Sequence, residues 1–173
     1  MRLFAAIHVP ETVKDKMLDV SEKISMRGIT LVKREALHVT VAFFGDADES
    51  SVKDAISDAI EGMKAFDVSI SKIGFFDPKQ MKIIYAGISE GRENISKINE
   101  KIVRSMNIDD RKFIPHVTLG RIKADVDTEL LKRKIAPHMN EEFGKFEVEG
   151  ISLMNSRLTE NGPTYERLWE GKF

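Results

Sequence analysis

The chain of 173 residues contains no cysteine, so disulfides and thiol nucleophiles are excluded and the sequence suits a reducing compartment. It has one tryptophan, five prolines and a single glutamine, Gln80, against many Lys, Glu and Ile, a balance found in thermophile proteins. No strong charge of one sign is present: the formal net charge is −1, so a phosphate-bearing partner has to be held by a local site and not by a basic surface. Long apolar runs are also missing. The stretch Met1–Pro10 is too short for a membrane span and lacks a cleavage pattern, so the expectation is a cytoplasmic protein with no membrane partner. The HExxH metal-binding signature is absent as well.

What the chain does have is one short pattern twice. His38-Val39-Thr40-Val41 and His116-Val117-Thr118-Leu119 lie 78 residues apart and both read His-apolar-Thr-apolar. Successive side chains of a strand point to opposite faces, so His and Thr share one face and the two apolar residues share the other. A reactive imidazole and a hydroxyl are thereby mounted on a packed support. The ordinary reading of one such copy is an edge strand or a satisfied polar contact. Two copies at equivalent points point to a histidine pair acting on one substrate.

The elements around the motifs repeat in the same order. A buried strand over 2–8 precedes a helix with the stripe Val13, Met17, Val20, Ile24, which has helical spacing. The first His strand follows at 37–45. Ser51 and Asp54 resemble a capping box for a helix carrying Val52, Ile56 and Ile60. A strand at 66–76 closes the first half. The second half reads strand 82–88, helix 92–106, His strand 113–121, helix 127–138 and strand 145–154, where Phe146 and Val148 echo Phe66 and Val68. A final strand at 164–170 contains Trp169. The expectation is an α+β fold of two similar lobes from a duplicated β-α-β-α-β unit. Its sheets are mainly antiparallel, helices pack outside, and a central cleft separates the His-motif strands. With no linker or low-complexity tract, residues 1–173 read as one domain.

A histidine titrates near pH 6.5, so a pair flanking a phosphodiester can take a proton from water and give one to the leaving oxygen. The threonine hydroxyls are placed to bond non-bridging phosphate oxygens. This chemistry requires neither metal nor cofactor. A zinc site built on His38 and His116 lacks an evident third ligand.

The paired motifs resemble the 2H phosphoesterase superfamily. The opening Met-Arg-Leu-Phe-Ala-Ala-Ile, the segment Leu37–Gly45 and the segment Phe113–Arg121 are similar to its RNA 2′,3′-cyclic phosphodiesterase branch, also called the LigT or 2′-5′ RNA ligase family. The resemblance spans about residues 1–170. It implies hydrolysis of a terminal RNA 2′,3′-cyclic phosphate to a 2′-phosphomonoester, with reverse 2′-5′ ligation through the same site. It assigns His38 as proton donor to the 3′-oxygen, His116 as proton acceptor from water, and Thr40 and Thr118 as phosphate ligands. It adds Arg121 near the phosphate and Phe43 against the terminal base. Strict alternation opposes both, because an odd offset from the histidine points to the other face; a bulge or the strand end at Gly120 would re-aim Arg121, and core packing is the competing role for Phe43. The implied partners are RNA 3′ ends bearing a cyclic phosphate, tRNA halves among them, met by a monomer. Two other readings stay open: a phosphodiesterase for small cyclic nucleotide phosphates or ADP-ribose 1″,2″-cyclic phosphate, and a non-catalytic nucleotide or RNA-end binding module. His8, His138, Tyr165, Trp169, Arg34, the 26–28 segment, Lys123 and the basic run 132–134 are given structural or surface roles.

Overall fold

In the computed structural model, which describes residues 2–76, 82–110 and 112–173, the chain forms two antiparallel sheets and four α-helices. The first half runs β1 (Arg2–His8), α1 (Glu11–Ile24), β2 (Ile29–Leu31), β3 (His38–Gly45), α2 (Glu49–Ile60) and β4 (Phe66–Phe76). The second runs β5 (Ile83–Glu90), α3 (Arg92–Ser105), β6 (His116–Ile122), α4 (Thr128–Ile135), β7 (Glu142–Val148), β8 (Gly150–Thr159) and β9 (Gly162–Lys172). One sheet has the order β3-β1-β8-β9 and the other β2-β6-β5-β4-β7.

The two sheets are alike, but they are not the two halves of the sequence. The last strand of the first half, β4, leaves its own half and pairs with β5, while β8 returns to pair with β1. The helices cross over too: α1 packs with α4 against β6 and β7, and α3 packs with α2 and against β3. Each lobe is therefore completed by the other half of the chain. The segment read as one strand over 145–154 is two strands, β7 and β8, joined at Glu149. Phe146 and Val148 are not the counterparts of Phe66 and Val68 in a separate lobe. They are their cross-strand partners, with Phe66 opposite Val148 and Val68 opposite Phe146. A matching apolar alternation in two segments that pair antiparallel looks, in sequence, the same as a repeat.

Local chemistry explains the helix starts. The cap of α2 is Asp48, not Ser51: its Oδ2 accepts from the Ser51 backbone N–H at 2.9 Å and from Ser51 Oγ at 2.8 Å. Asp127 does the same for Leu130 at the start of α4. Gly91 precedes α3 with φ 83°, and a Cβ there would lie 2.5 Å from the Asp67 carbonyl, so the tight β5–α3 turn needs glycine.

The apolar faces of both His strands are fully covered. Val39, Val41, Val117 and Leu119 are all at 0% exposure, packed into a core shared with Met17, Ile24, Ile98 and Ile102 of α1 and α3. Each such side chain contributes on the order of 2 kcal/mol by burial. This anchors the strand while its polar face stays open. Among the described residues, no helix is long and apolar enough to cross a membrane.

Candidate active site

The strands β3 and β6 contact each other across the two sheets, close enough for the His116 charge to act on His38. On β3, His38 and Thr40 lie opposite His8 and Ala6 of β1. On β6, His116 and Thr118 lie opposite Gly87 and Tyr85 of β5. All four motif side chains are half-buried, whereas the intervening apolar residues are buried.

Phe43 and Arg121 face the same space, because each strand carries a bulge at the same point of the pattern. In β3 the register passes from Thr40 opposite Ala6 to Ala42 opposite Ala5, leaving Val41 without a partner in β1. In β6 it passes from Thr118 opposite Tyr85 to Gly120 opposite Ile84, leaving Leu119 unpaired in the same way. One extra residue reverses the alternation beyond it. Val41 and Ala42 are consecutively buried, as are Leu119 and Gly120, and the next residues, Phe43 and Arg121, emerge on the histidine face. The Phe43 ring lies 6.0 Å from that of Phe4, which itself stacks on His38 at 5.1 Å. Phe43 is 69% exposed, a large apolar surface presented to solvent beside an imidazole. The Arg121 charge is felt by Tyr165 of the opposite sheet.

The His116 imidazole is oriented by a main-chain carbonyl. His116 Nδ1 is 2.8 Å from the Ile114 carbonyl oxygen, which can only accept. The proton therefore sits on Nδ1, and the Nε2 lone pair of the neutral ring is left for chemistry. Near His38, the Glu35 main-chain carbonyl in the 3₁₀ turn Arg34–Ala36 favours the protonated ring. That turn is tied down by Arg34, which donates to Glu11 Oε2 at 2.6 Å and to Asp15 Oδ1. Arg34 is thus engaged with α1.

Aromatic rings wall both histidines. Tyr165 meets His38 edge-on at 5.4 Å, and Phe4 covers its face. Phe76 and Tyr85, stacked at 4.3 Å, meet His116 edge-on at 4.6 and 5.6 Å. Burial among rings disfavours the imidazolium, so both histidines titrate below their ordinary value, and His38 is lowered to about 4. The Glu35 carbonyl works against that shift. The nearly buried Lys14 ammonium, paired with Glu11 Oε1 at 3.4 Å, reinforces it, as do His116 and His8.

Tyr165, Tyr85, Phe76 and Phe4 belong to the site, and motif reasoning missed them. Phe4 and Tyr85 enter through strand pairing with the motif strands, Phe76 through a strand one step further away and Tyr165 through a strand two steps further, a register that local sequence does not encode. The Tyr85 ring depends on Gly74, where a Cβ would lie 2.5 Å from its Cζ and hydroxyl. Gly74→Ala is expected to push Tyr85 off its seat and destabilise the fold by roughly 1–3 kcal/mol. A urea midpoint unchanged from wild type would show that the ring relocates freely.

The remaining candidates lie elsewhere or act indirectly. His8 is exposed beside Lys14, and His138 Nδ1 pairs with Glu141 Oε2 at 3.3 Å. Trp169 packs against the core, and Lys132 pairs with Glu129 on α4. Among the described residues, no group of three or more His, Cys, Asp or Glu side chains is placed to hold a metal ion.

The 2′-5′ RNA ligase superfamily model matches residues 22–160. An RNA 2′,3′-cyclic phosphodiesterase of Methanocaldococcus jannaschii is 34% identical over 98% of this chain and 99% of its own length. Another so named, from Methanothermobacter thermautotrophicus, is 28% identical over 95% of both chains. A solved Thermus thermophilus structure superposes with a TM-score of 0.79 at 25% identity, covering 99% of this chain and 97% of its own. E. coli LigT, crystallised with NADP+, superposes with a TM-score of 0.80 at 18% identity, covering 99% and 96%, which supports the fold alone. Matched over most of its length by the family model and end to end by its relatives, the chain belongs to the 2′-5′ RNA ligase superfamily.

Proposed function

We propose that this protein hydrolyses the terminal 2′,3′-cyclic phosphate of RNA to a 2′-phosphomonoester, with its two halves acting as one catalytic unit. What supports the reading most is the paired site itself: two imidazoles walled by aromatic rings, His116 fixed by a main-chain carbonyl, on strands that meet across the sheets. The cyclic phosphodiesterase name carried by its relatives points to the same bond.

In this reading His116 is the general base. With Nδ1–H given to Ile114, its Nε2 takes a proton from the attacking water. Water adds to phosphorus, the P–O3′ bond breaks, and His38 gives its proton to the departing 3′-oxygen. Thr40 and Thr118 bond the non-bridging oxygens, Arg121 offsets the charge of the pentacovalent phosphate, and the exposed Phe43 ring stacks on the terminal base. Ligation through a 2′-5′ bond is the same sequence reversed.

The acid role demands that His38 be charged in the complex, although burial holds its pKa near 4 in the free protein. The substrate supplies what is missing. An anion about 4 Å from an imidazolium is worth about 4 kcal/mol at an effective dielectric of 20, or about three pKa units, enough to bring His38 to neutrality.

The test is direct. Incubation of an oligoribonucleotide 2′,3′-cyclic phosphate in excess EDTA is expected to yield a 2′-phosphate end, told from the 3′-phosphate isomer and the cyclic substrate by chromatography against standards of each. A 3′-phosphate product or abolition by EDTA would overturn the mechanism. Turnover far faster on a mononucleotide than on the oligomer would assign the site to small cyclic phosphates instead. Tight binding without turnover would make it a binding module.

A further inference from the structure

The two bulges need identical help and receive it from different sources. An extra residue in a strand leaves its main-chain groups outside the ladder, and a covered carbonyl requires a donor. In β6 the carbonyl of the extra residue, Leu119, accepts from the Val32 backbone N–H at 3.0 Å, just past β2, the strand that pairs with β6 on its outer side. In the other sheet β3 is itself the edge, and no strand among the described residues lies beyond it. There the equivalent carbonyl, Val41, accepts from the side chain of Asn99, Nδ2 to O 2.8 Å. Asn99 is 3% exposed in the middle of α3, among Ile95, Ile98 and Ile102. Its second N–H goes to Asp110 Oδ2 at 2.9 Å, which fixes the amide's orientation. The matching position of α1 is Ser21, equally buried, whose short hydroxyl has no partner among the described residues.

We propose that Asn99 is a positioning residue that sets the cleft's contact with the substrate base by holding the bulge that turns Phe43 onto the histidine face. The carbonyl it grips lies between Thr40 and Phe43. Loss of that grip lets Val41 slip back into register with β1, and a one-residue slip carries Phe43 to the other face. Asp110 lies six residues before His116, so the same amide ties the His38 strand to the segment that leads into the His116 strand. The proposal rests on the reading of the cleft as a cyclic-phosphate site with Phe43 against the base.

The experiment compares kcat/KM for cytidine 2′,3′-cyclic phosphate and for the base-free 1-O-methylribose 2′,3′-cyclic phosphate. The wild type is expected to prefer the cytidine substrate. In Asn99→Leu that preference falls about tenfold, the order of one base–aromatic stacking contact, while turnover of the base-free substrate stays within about twofold. In Phe43→Ala the preference is lost already, and adding Asn99→Leu lowers it no further, because both act through one ring. Asp110→Ala, which leaves the core packing of α3 alone, is expected to reproduce a smaller loss and serves if Asn99→Leu does not fold. A parallel fall on both substrates, or additive losses in the double variant, would overturn the proposal and mark Asn99 as structural only. Absence of turnover on any cyclic phosphate by the wild type would instead refute the function on which it rests.

Discussion

His116→Ala is expected to lower kcat/KM on an RNA 2′,3′-cyclic phosphate about 10³-fold with the fold intact, and His38→Ala to do the same, each removing one positioned proton transfer. The two losses together are expected to fall well short of their product, since base and acid serve one displacement. The pH profile is the sharper check. The base must be neutral and the acid charged. In the free protein both imidazoles titrate below 6.5, His38 at about 4. The active protonation state is therefore most populated on the acid side of 6.5, and kcat/KM, which reports the free enzyme, is expected to peak there. The bound phosphate raises His38, so kcat is expected to peak at higher pH. Steady-state kinetics from pH 4 to 9, with circular dichroism of each variant, measures all of this. Full activity in either alanine variant, or a kcat/KM optimum near pH 8, would remove the acid–base pair from the mechanism.

The same burial has a consequence for folding. His38 titrates at about 4 in the folded protein and near 6.5 when unfolded, so between those values the unfolded chain binds more protons. Stability from this group is complete above 6.5 and is lost as pH falls toward 4, in total roughly 3 kcal/mol. Urea unfolding at pH 7 and 4.5 is expected to show the wild type losing about 2 kcal/mol more than His38→Gln over that interval. Carboxylate titrations are common to both proteins and cancel. Equal losses would mean that the aromatic wall admits water to the imidazole.

Much of the site was legible because strand alternation is strictly local. From His38 to Thr40, and from His116 to Thr118, two steps along a strand return to the same face, and the valines between them had to be core. The duplicated order of elements was legible for the same reason. Alternation failed at Phe43 and Arg121, five residues from each histidine, where it placed both side chains on the wrong face. The third strands were misassigned because an apolar alternation does not say which sheet it joins. Phe146 and Val148 read as a repeat of Phe66 and Val68 when the two segments are cross-strand partners. The cap of α2 was off by one turn, since Asp48 and Ser51 are both good caps and only the hydrogen bond decides.

The sequence by itself determined that two imidazoles and two hydroxyls stand on buried, apolar-backed strands, because periodicity and burial act over a few residues. Only the tertiary structure decided that those strands meet, that aromatic rings from strands far along the chain depress both histidines, and that Phe43 and Arg121 join them. The reason is physical: a bulge survives where its freed carbonyl finds a donor. Those donors, Asn99 and Val32, come from elements 58 and 87 residues distant in the chain and are brought to the bulges only when the two halves complete each other's sheets.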